Sequence, residues 1–333
     1  MVGQRGPGHA RPLEDWAGVA DRHGLIRTAD ALRAGLTGRQ LARLINDGDL
    51  VRLGRRSYSL PLVAASAEDG SVWARRRTLH AAQARAAVVA YEGRAAASHH
   101  SALVLHGLPA YSADLHQVHL TRTADTWSRR RPGLTLHQMV PGAATTDGVI
   151  DLAVAVVQAG CVNGSMAALV AADAALHRGQ LGQDDLQRAC DLVVGPRSAV
   201  IRALLRHADG SAESPGETRL RHALRMMGFS VTPQVPIVDG SFVAVVDFLV
   251  GDCVAVEFDG FVKYGRRRAF ATDVTPADIV FAEKVREDHV RELGHEMVRV
   301  IWTDFDDLPL LRRRVERAVM LAANRSLTSR AGS

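Results

Sequence analysis

Two apolar runs near the end of the chain carry acids where a buried strand ordinarily carries none. They read Val-Val-Asp247-Phe-Leu and, after a Gly-Asp-Cys turn, Val-Ala-Val-Glu257-Phe-Asp259-Gly260. Unpaired carboxylates are costly to bury, and a divalent cation is one way to compensate them. Asp247 and Glu257 on adjacent strands would give oxygen ligands to one Mg²⁺ or Mn²⁺, leaving positions for water and a phosphate oxygen. Such an ion generates hydroxide and neutralises the charge that develops as a phosphodiester is hydrolysed. Glu217, one helix upstream, would reach the same metal through water or hold a second ion. Asp259, two residues beyond Glu257, emerges on the same strand face. The alternative is that these acids pair with Arg219, Arg221 or Arg286 and hold no metal.

The elements that must position these acids are legible around them. Ser214, Pro215 and Glu217 form a capping box at the start of a helix, Leu220, Ala223, Leu224 and Met227 give its apolar stripe, and Gly228 ends it. Glu217 therefore has a structural role available, yet its spacing to Leu220 and Leu224 also places it on the buried face. Strands are expected over about 230–234, 242–250 and 253–258, then an irregular basic segment through Lys263 and Arg266-Arg267-Arg268. A helix over about 276–293, stopped by Gly294, and a strand over 297–302 complete the order helix, three strands, helix, strand.

At the other end, three short helical patterns precede a ribbon: one ending near Gly24, one over 28–34 and one over 38–46. Thr37 caps the third, Asp47-Gly48 ends it, and two short runs flank a Gly54-Arg55-Arg56 tip. This is a winged helix-turn-helix layout. Leu41, Leu44 and Ile45 turn inward, leaving Arg39, Gln40, Arg43 and Asn46 outward; with the wing residues Arg55 and Arg56 these are the types that contact phosphates and base edges of DNA. The stretch between the two ends is Ala-rich and reads as mostly helical, with a strand pair at 117–121 and 134–138. Its His99, His100 and His106 read as core or capping histidines, because no further metal ligand stands at a usable spacing. The loop Trp127-Ser128-Arg129-Arg130-Arg131-Pro132 is a basic segment beside an aromatic, a phosphate contact or a solvated loop.

The whole chain fits this division. Its 333 residues, 47% hydrophobic and 23% charged, suffice for two or three soluble domains. A net charge of +5 and a pI near 9.5 suit a polyanionic partner. Three isolated cysteines argue against a zinc ribbon or a disulfide framework and for a reducing compartment, so the cytoplasm is expected. The longest apolar stretch, 149–175, is broken by Asp151, Asn163 and Asp173, so neither export nor membrane insertion is expected.

Residues 213–319 resemble the PD-(D/E)XK restriction-endonuclease-like fold, in particular the domain similar to very-short-patch-repair (Vsr) endonucleases. The matching pieces are Glu217-x-x-Leu220-Arg221, Gln234, Asp247-Phe248, Glu257-Phe258-Asp259-Gly260, Lys263-Tyr264, Glu283-Lys284-x-Arg286-x-Asp288, Leu293-Gly294 and Val300-Ile301-Trp302. The family pattern has Lys where this chain has Asp259, so the resemblance implies that the cation orienting the attacking water is a relocated lysine, Lys263 or Lys284, with His289 next. The N-terminal part resembles AbiEi-type antitoxin regulators of type IV toxin–antitoxin systems, on Gly35-Leu36 to Leu41, Gly48-Asp49-Leu50, Tyr58 and the stretch from Ser98-His99 to Gly107-Leu108. That resemblance implies DNA and a toxin or operon partner. Cutting both DNA strands would need two active sites and hence a homodimer.

The expected fold is thus α+β and multidomain: a winged helix-turn-helix at 14–62, a mostly helical AbiEi-like connector at 72–207, and an α/β restriction-endonuclease-like core at 213–323. The expected function is metal-dependent DNA cleavage by a DNA-binding protein, or else non-catalytic regulation of the AbiEi type with a degenerate nuclease fold.

Overall fold

The computed structural model describes residues 18–61, 71–195, 197–260 and 276–331. The chain divides into two compact units, residues 1–168 with 184–205, and 169–183 with 206–333. Among the described residues it is an α+β protein with three sheets, and no helix is long and apolar enough to cross a membrane.

The first unit begins with β1 (Leu25–Arg27), α1 (Thr28–Arg33), α2 (Gly38–Asn46), β2 (Val51–Gly54) and β3 (Ser57–Ser59), with the strands in the order β1-β3-β2. Gly35, at φ 94°, makes the turn between the two helices. Thr37 then opens α2 with a full capping box, its hydroxyl accepting from Gln40 N (3.3 Å) while its own N–H donates to Gln40 Oε1 (2.9 Å). Ile26, Leu36, Leu41, Leu44, Leu50 and Tyr58 close the small core. The helix expected to end near Gly24 is not seen where it can be checked: residues 18–24 are turn, and its earlier part lies outside the described residues.

The same unit continues with α3 (Val72–Tyr91), β4 (Ala95–Ala97), α4 (His99–Leu105), β5 (Val118–Arg122), β6 (Arg129–Arg131), β7 (Leu134–His137), β8 (Thr145–Thr146), β9 (Val149–Ile150) and α5 (Leu152–Asn163). Next in the chain come α6 (Ser165–His177), which from Leu169 on belongs to the second unit, and then α7 (Gln183–Leu192) and α8 (Ser198–Leu205) of the first. Helix outweighs strand in this region, as expected, but the expected strand pair is part of a larger sheet of six strands in the order β6-β7-β5-β4-β9-β8. Composition hid it. Ala95–Ala97 is helix-forming by propensity, yet these three alanines form a strand that is buried along its whole length. The expected pair is present as the parallel neighbours β5 and β7.

The second unit contains α9 (Pro215–Met226), β10 (Val231–Asp239), β11 (Phe242–Val250), β12 (Val254–Phe258), α10 (Pro276–Glu292), β13 (Glu296–Val300), a 3-10 turn over Trp302–Asp306 and a last helix, α11 (Leu308–Ala331). The strands lie in the order β10-β11-β12-β13, antiparallel except for the β12/β13 pair. Leu220, Leu224, Phe248, Val256, Val300 and Leu311 pack one core, and Ile237, Ala244, Val246, Ala255 and Val290 another. Val246 and Phe248 have the same parity yet enter different cores, so β11 turns over at Asp247, opposite a Gln234 held at φ 50°. Beneath α9, Arg221 is fully buried and is met by Asp173 Oδ2 (2.5 Å) and Asp209 Oδ2 (2.8 Å).

Candidate nucleic-acid interface

The outward face of α2 is set by its buried stripe. Leu41 and Leu44 are buried and Ile45 half-buried, so Arg39, Gln40, Arg43 and Asn46 project to solvent on the opposite side. Two of these have local partners. Gln40 gives its amide oxygen to the capping box, which leaves its NH₂ group as the part available to a ligand, and Arg43 Nε lies 3.3 Å from Asp47 Oδ2 in an exposed ion pair. Arg55 and Arg56 are exposed at the wing tip, where Arg56, at φ 62°, turns its carbonyl to receive Thr28 N–H (3.0 Å). That bond ties the wing to the start of α1.

A groove of about 790 Å³ runs from the wing along the sheet of the same unit. Arg55, Arg94, Arg129 and Arg131 line it together with Trp127, which is half exposed. The Arg122 guanidinium lies 3.3 Å from the Trp127 ring centroid and is paired with Asp125, so it fixes the indole in place. An exposed indole beside arginines offers stacking and phosphate contact together. The basic loop is partly strand: Arg129–Arg131 form the exposed edge β6.

The acids of the second unit are differently engaged. Glu217 is buried, and both its carboxylate oxygens serve the start of α9: Oε1 accepts from Ser214 Oγ (2.7 Å) and Oε2 from Glu213 N (2.9 Å). Asp247 Oδ2 accepts from Phe258 N (2.8 Å), taking a backbone donor beyond the point where the β11/β12 ladder stops at Phe248 and Val256. Glu257 receives Arg286 Nη2 on both oxygens, at 2.9 and 3.0 Å. Burial pushes its carboxyl upward, against the pull of Arg286. Arg286 also meets Glu283, and Arg299 joins Glu283 and Glu287 at 3.0 Å each, with Asp259 at 4.0 Å. The result is a network of carboxylates held by two arginines.

Among the described residues, the acids nowhere gather three donor atoms within 4.8 Å of one another, and Glu217 is spent on its helix cap. Of the lysines expected to orient water, Lys263 lies outside the described residues and Lys284 projects into solvent from α10. His289 is placed elsewhere, 3.2 Å from Asp239, with its ring tilted against Phe242. Arg286 is one of the three arginines the sequence offered as partners of these acids, and it is the one that meets Glu257; Arg299 was not foreseen, since its place beside Glu283 and Glu287 depends on packing. The set of donors that does converge is His99, His119 and His137, of which the last two escaped notice; His106 is not among them.

Two helices joined by a tight turn, preceded by one strand and followed by a two-stranded wing, define a winged helix-turn-helix. Residues 19–58, which contain that motif up to the next-to-last residue of β3, match the family model described as transcriptional regulator, AbiEi antitoxin. No curated protein matches the chain.

Proposed function

We propose that this protein is a DNA-binding transcriptional regulator of the AbiEi antitoxin type, acting with a toxin or operon partner. The observation that carries this reading is the exposed Arg39, Gln40, Arg43 face of α2 beside the Arg55 and Arg56 wing, inside the segment that matches the regulator model. A recognition helix enters the major groove while a wing and neighbouring arginines hold phosphates. The groove with Arg94, Arg129, Arg131 and Trp127 extends the basic surface beyond the motif. In the second unit the carboxylates are occupied by a helix cap, a backbone N–H and two arginines, which favours a nuclease-like fold kept for its architecture over metal-dependent cleavage.

The test is a fluorescence-anisotropy titration of the full chain with duplex DNA across a salt series. If Arg39, Arg43, Arg55 and Arg56 all meet phosphates, log K falls with log salt at a slope of roughly −3.6, and Arg39→Ala with Arg43→Ala lowers the slope to roughly −1.8. Loss of sequence preference in the same variant would show that one of them reads a base edge. Absence of salt-dependent binding refutes the regulator reading. Plasmid nicking that requires Mg²⁺ or Mn²⁺ and is lost in Glu257→Gln would instead establish the nuclease.

A further inference from the structure

The first unit holds five histidines close together: His80, His99, His100, His119 and His137. Two of them are satisfied by protein. His80 has Leu115 O at 2.9 Å from Nδ1 and Ser101 Oγ at 2.9 Å from Nε2, and His100 has Gln117 O at 3.0 Å from Nε2 and Asn163 Nδ2 at 3.2 Å from Nδ1. The other three turn toward each other. His119 Nδ1 lies 2.9 Å from His137 Nε2, and His99 stacks on His137 with ring centroids 3.8 Å apart. One ring nitrogen from each of the three falls within 4.8 Å of the others.

We propose that His99, His119 and His137 form a binding site for a first-row divalent transition ion of the Zn²⁺ class, with one coordination position open to the adjoining cavity. Imidazole is the ligand such ions prefer among uncharged side chains, and three of them leave a fourth position for water or an added ligand. Each ligand stands on a different element. His119 and His137 come from the parallel neighbours β5 and β7 on the same sheet face, two positions out of direct register, and His99 opens α4. His99 is held at φ 53°, a conformation that side chains with a Cβ rarely adopt, and Ser98 Oγ sits 2.9 Å from its Nδ1, which leaves Nε2 for the ion. A hydrogen bond on the far nitrogen is how metal-binding imidazoles are usually oriented. His99 and His119 are buried, while His99 and His137 border a cavity of about 740 Å³ that Gln138, Met139, Gln158 and Cys161 also line. An ion therefore has a route in from solvent.

The experiment uses tag-free, full-length protein stripped with chelator and titrated with Co²⁺, followed by Zn²⁺ competition. The expected result is one equivalent of Co²⁺ bound with the intense visible bands of a four-coordinate ion, displaced by Zn²⁺, and a raised thermal midpoint. His137→Ala, at a half-buried position of a short strand, should weaken binding on the order of 100-fold or more, whereas His116→Ala at an exposed site should leave it unchanged. The wild-type titration stands whether or not a variant folds. Failure to bind an equivalent of Co²⁺, or binding that survives His137→Ala in folded protein, overturns the site.

Discussion

Lowering the pH from 7 to 5 should loosen the histidine-bearing sheet of the first unit. Burial, the largest cause in each case, lowers His100 and His137 from the ordinary 6.5 to about 4 and His119 to about 2. In the unfolded chain each imidazole takes up a proton as the pH falls through about 6.5, while in the fold it stays neutral until its lowered value. The unfolded state then binds more protons, so stability is full above about 6.5 and is lost as the pH falls toward the folded values. Between pH 7 and 5 each group costs about 2 kcal/mol, and three cost about 5–6 kcal/mol, comparable to the whole stability of many domains. Hydrogen–deuterium exchange of metal-free protein, corrected for intrinsic rates, resolves the effect locally. Peptides over 118–122 and 134–137 should lose protection at pH 5 far more than peptides over 242–258. His119→Asn should lower the slope of stability against pH by up to one proton's worth, whatever it does to stability at pH 7. Equal protection of β5 and β7 at both pH values, or an unchanged slope in the variant, would refute the argument.

Other outcomes follow from single contacts. Arg286→Met leaves Glu257 buried without its guanidinium and should cost about 3 kcal/mol in urea denaturation at pH 7, more than Glu257→Gln, after which Arg286 still has Glu283 as a counterion. Gly216→Ala would put a methyl group 1.9 Å from Phe258 Cε1, an overpacking cost of about 1–3 kcal/mol that Phe258→Leu should partly relieve in a double-mutant cycle. Thr37→Ala removes the cap of α2 and should cost about 1 kcal/mol, read as a lower thermal midpoint together with weaker DNA binding.

What could be read from sequence was local. The Ser214 and Thr37 caps, the Gly228 and Asp47-Gly48 stops and the apolar runs around Asp247 and Glu257 each announce an element within a few residues, and α2, α9, β11 and β12 lie where those signals put them. The order helix, three strands, helix, strand is present, with α11 added after it. What escaped depended on distant neighbours. Ala95–Ala97 is a strand because β5 and β9 flank it, and nothing in three alanines announces that. His99, His119 and His137 are eighteen or more residues apart, so no ligand spacing exists to be recognised. The acids were visible as anomalies in apolar runs and Arg286 as one candidate partner, but its meeting with Glu257 depends on the face α10 turns to β12.

The ion pair between Arg221 and Asp173 bears on how this molecule can be cut apart. Its two members stand 48 residues apart in the chain, and each is almost wholly sequestered from water. A fragment starting at 213, where the resemblance to nucleases begins, would keep the guanidinium in its apolar setting and discard both Asp173 and Asp209. An orphaned internal charge of that kind costs about 3–5 kcal/mol. An excised piece that aggregates or stays unfolded would therefore report a missing counterion and leave the chemistry of its acids unexamined. A piece beginning before Leu169 retains the anion and gives that chemistry a fair trial.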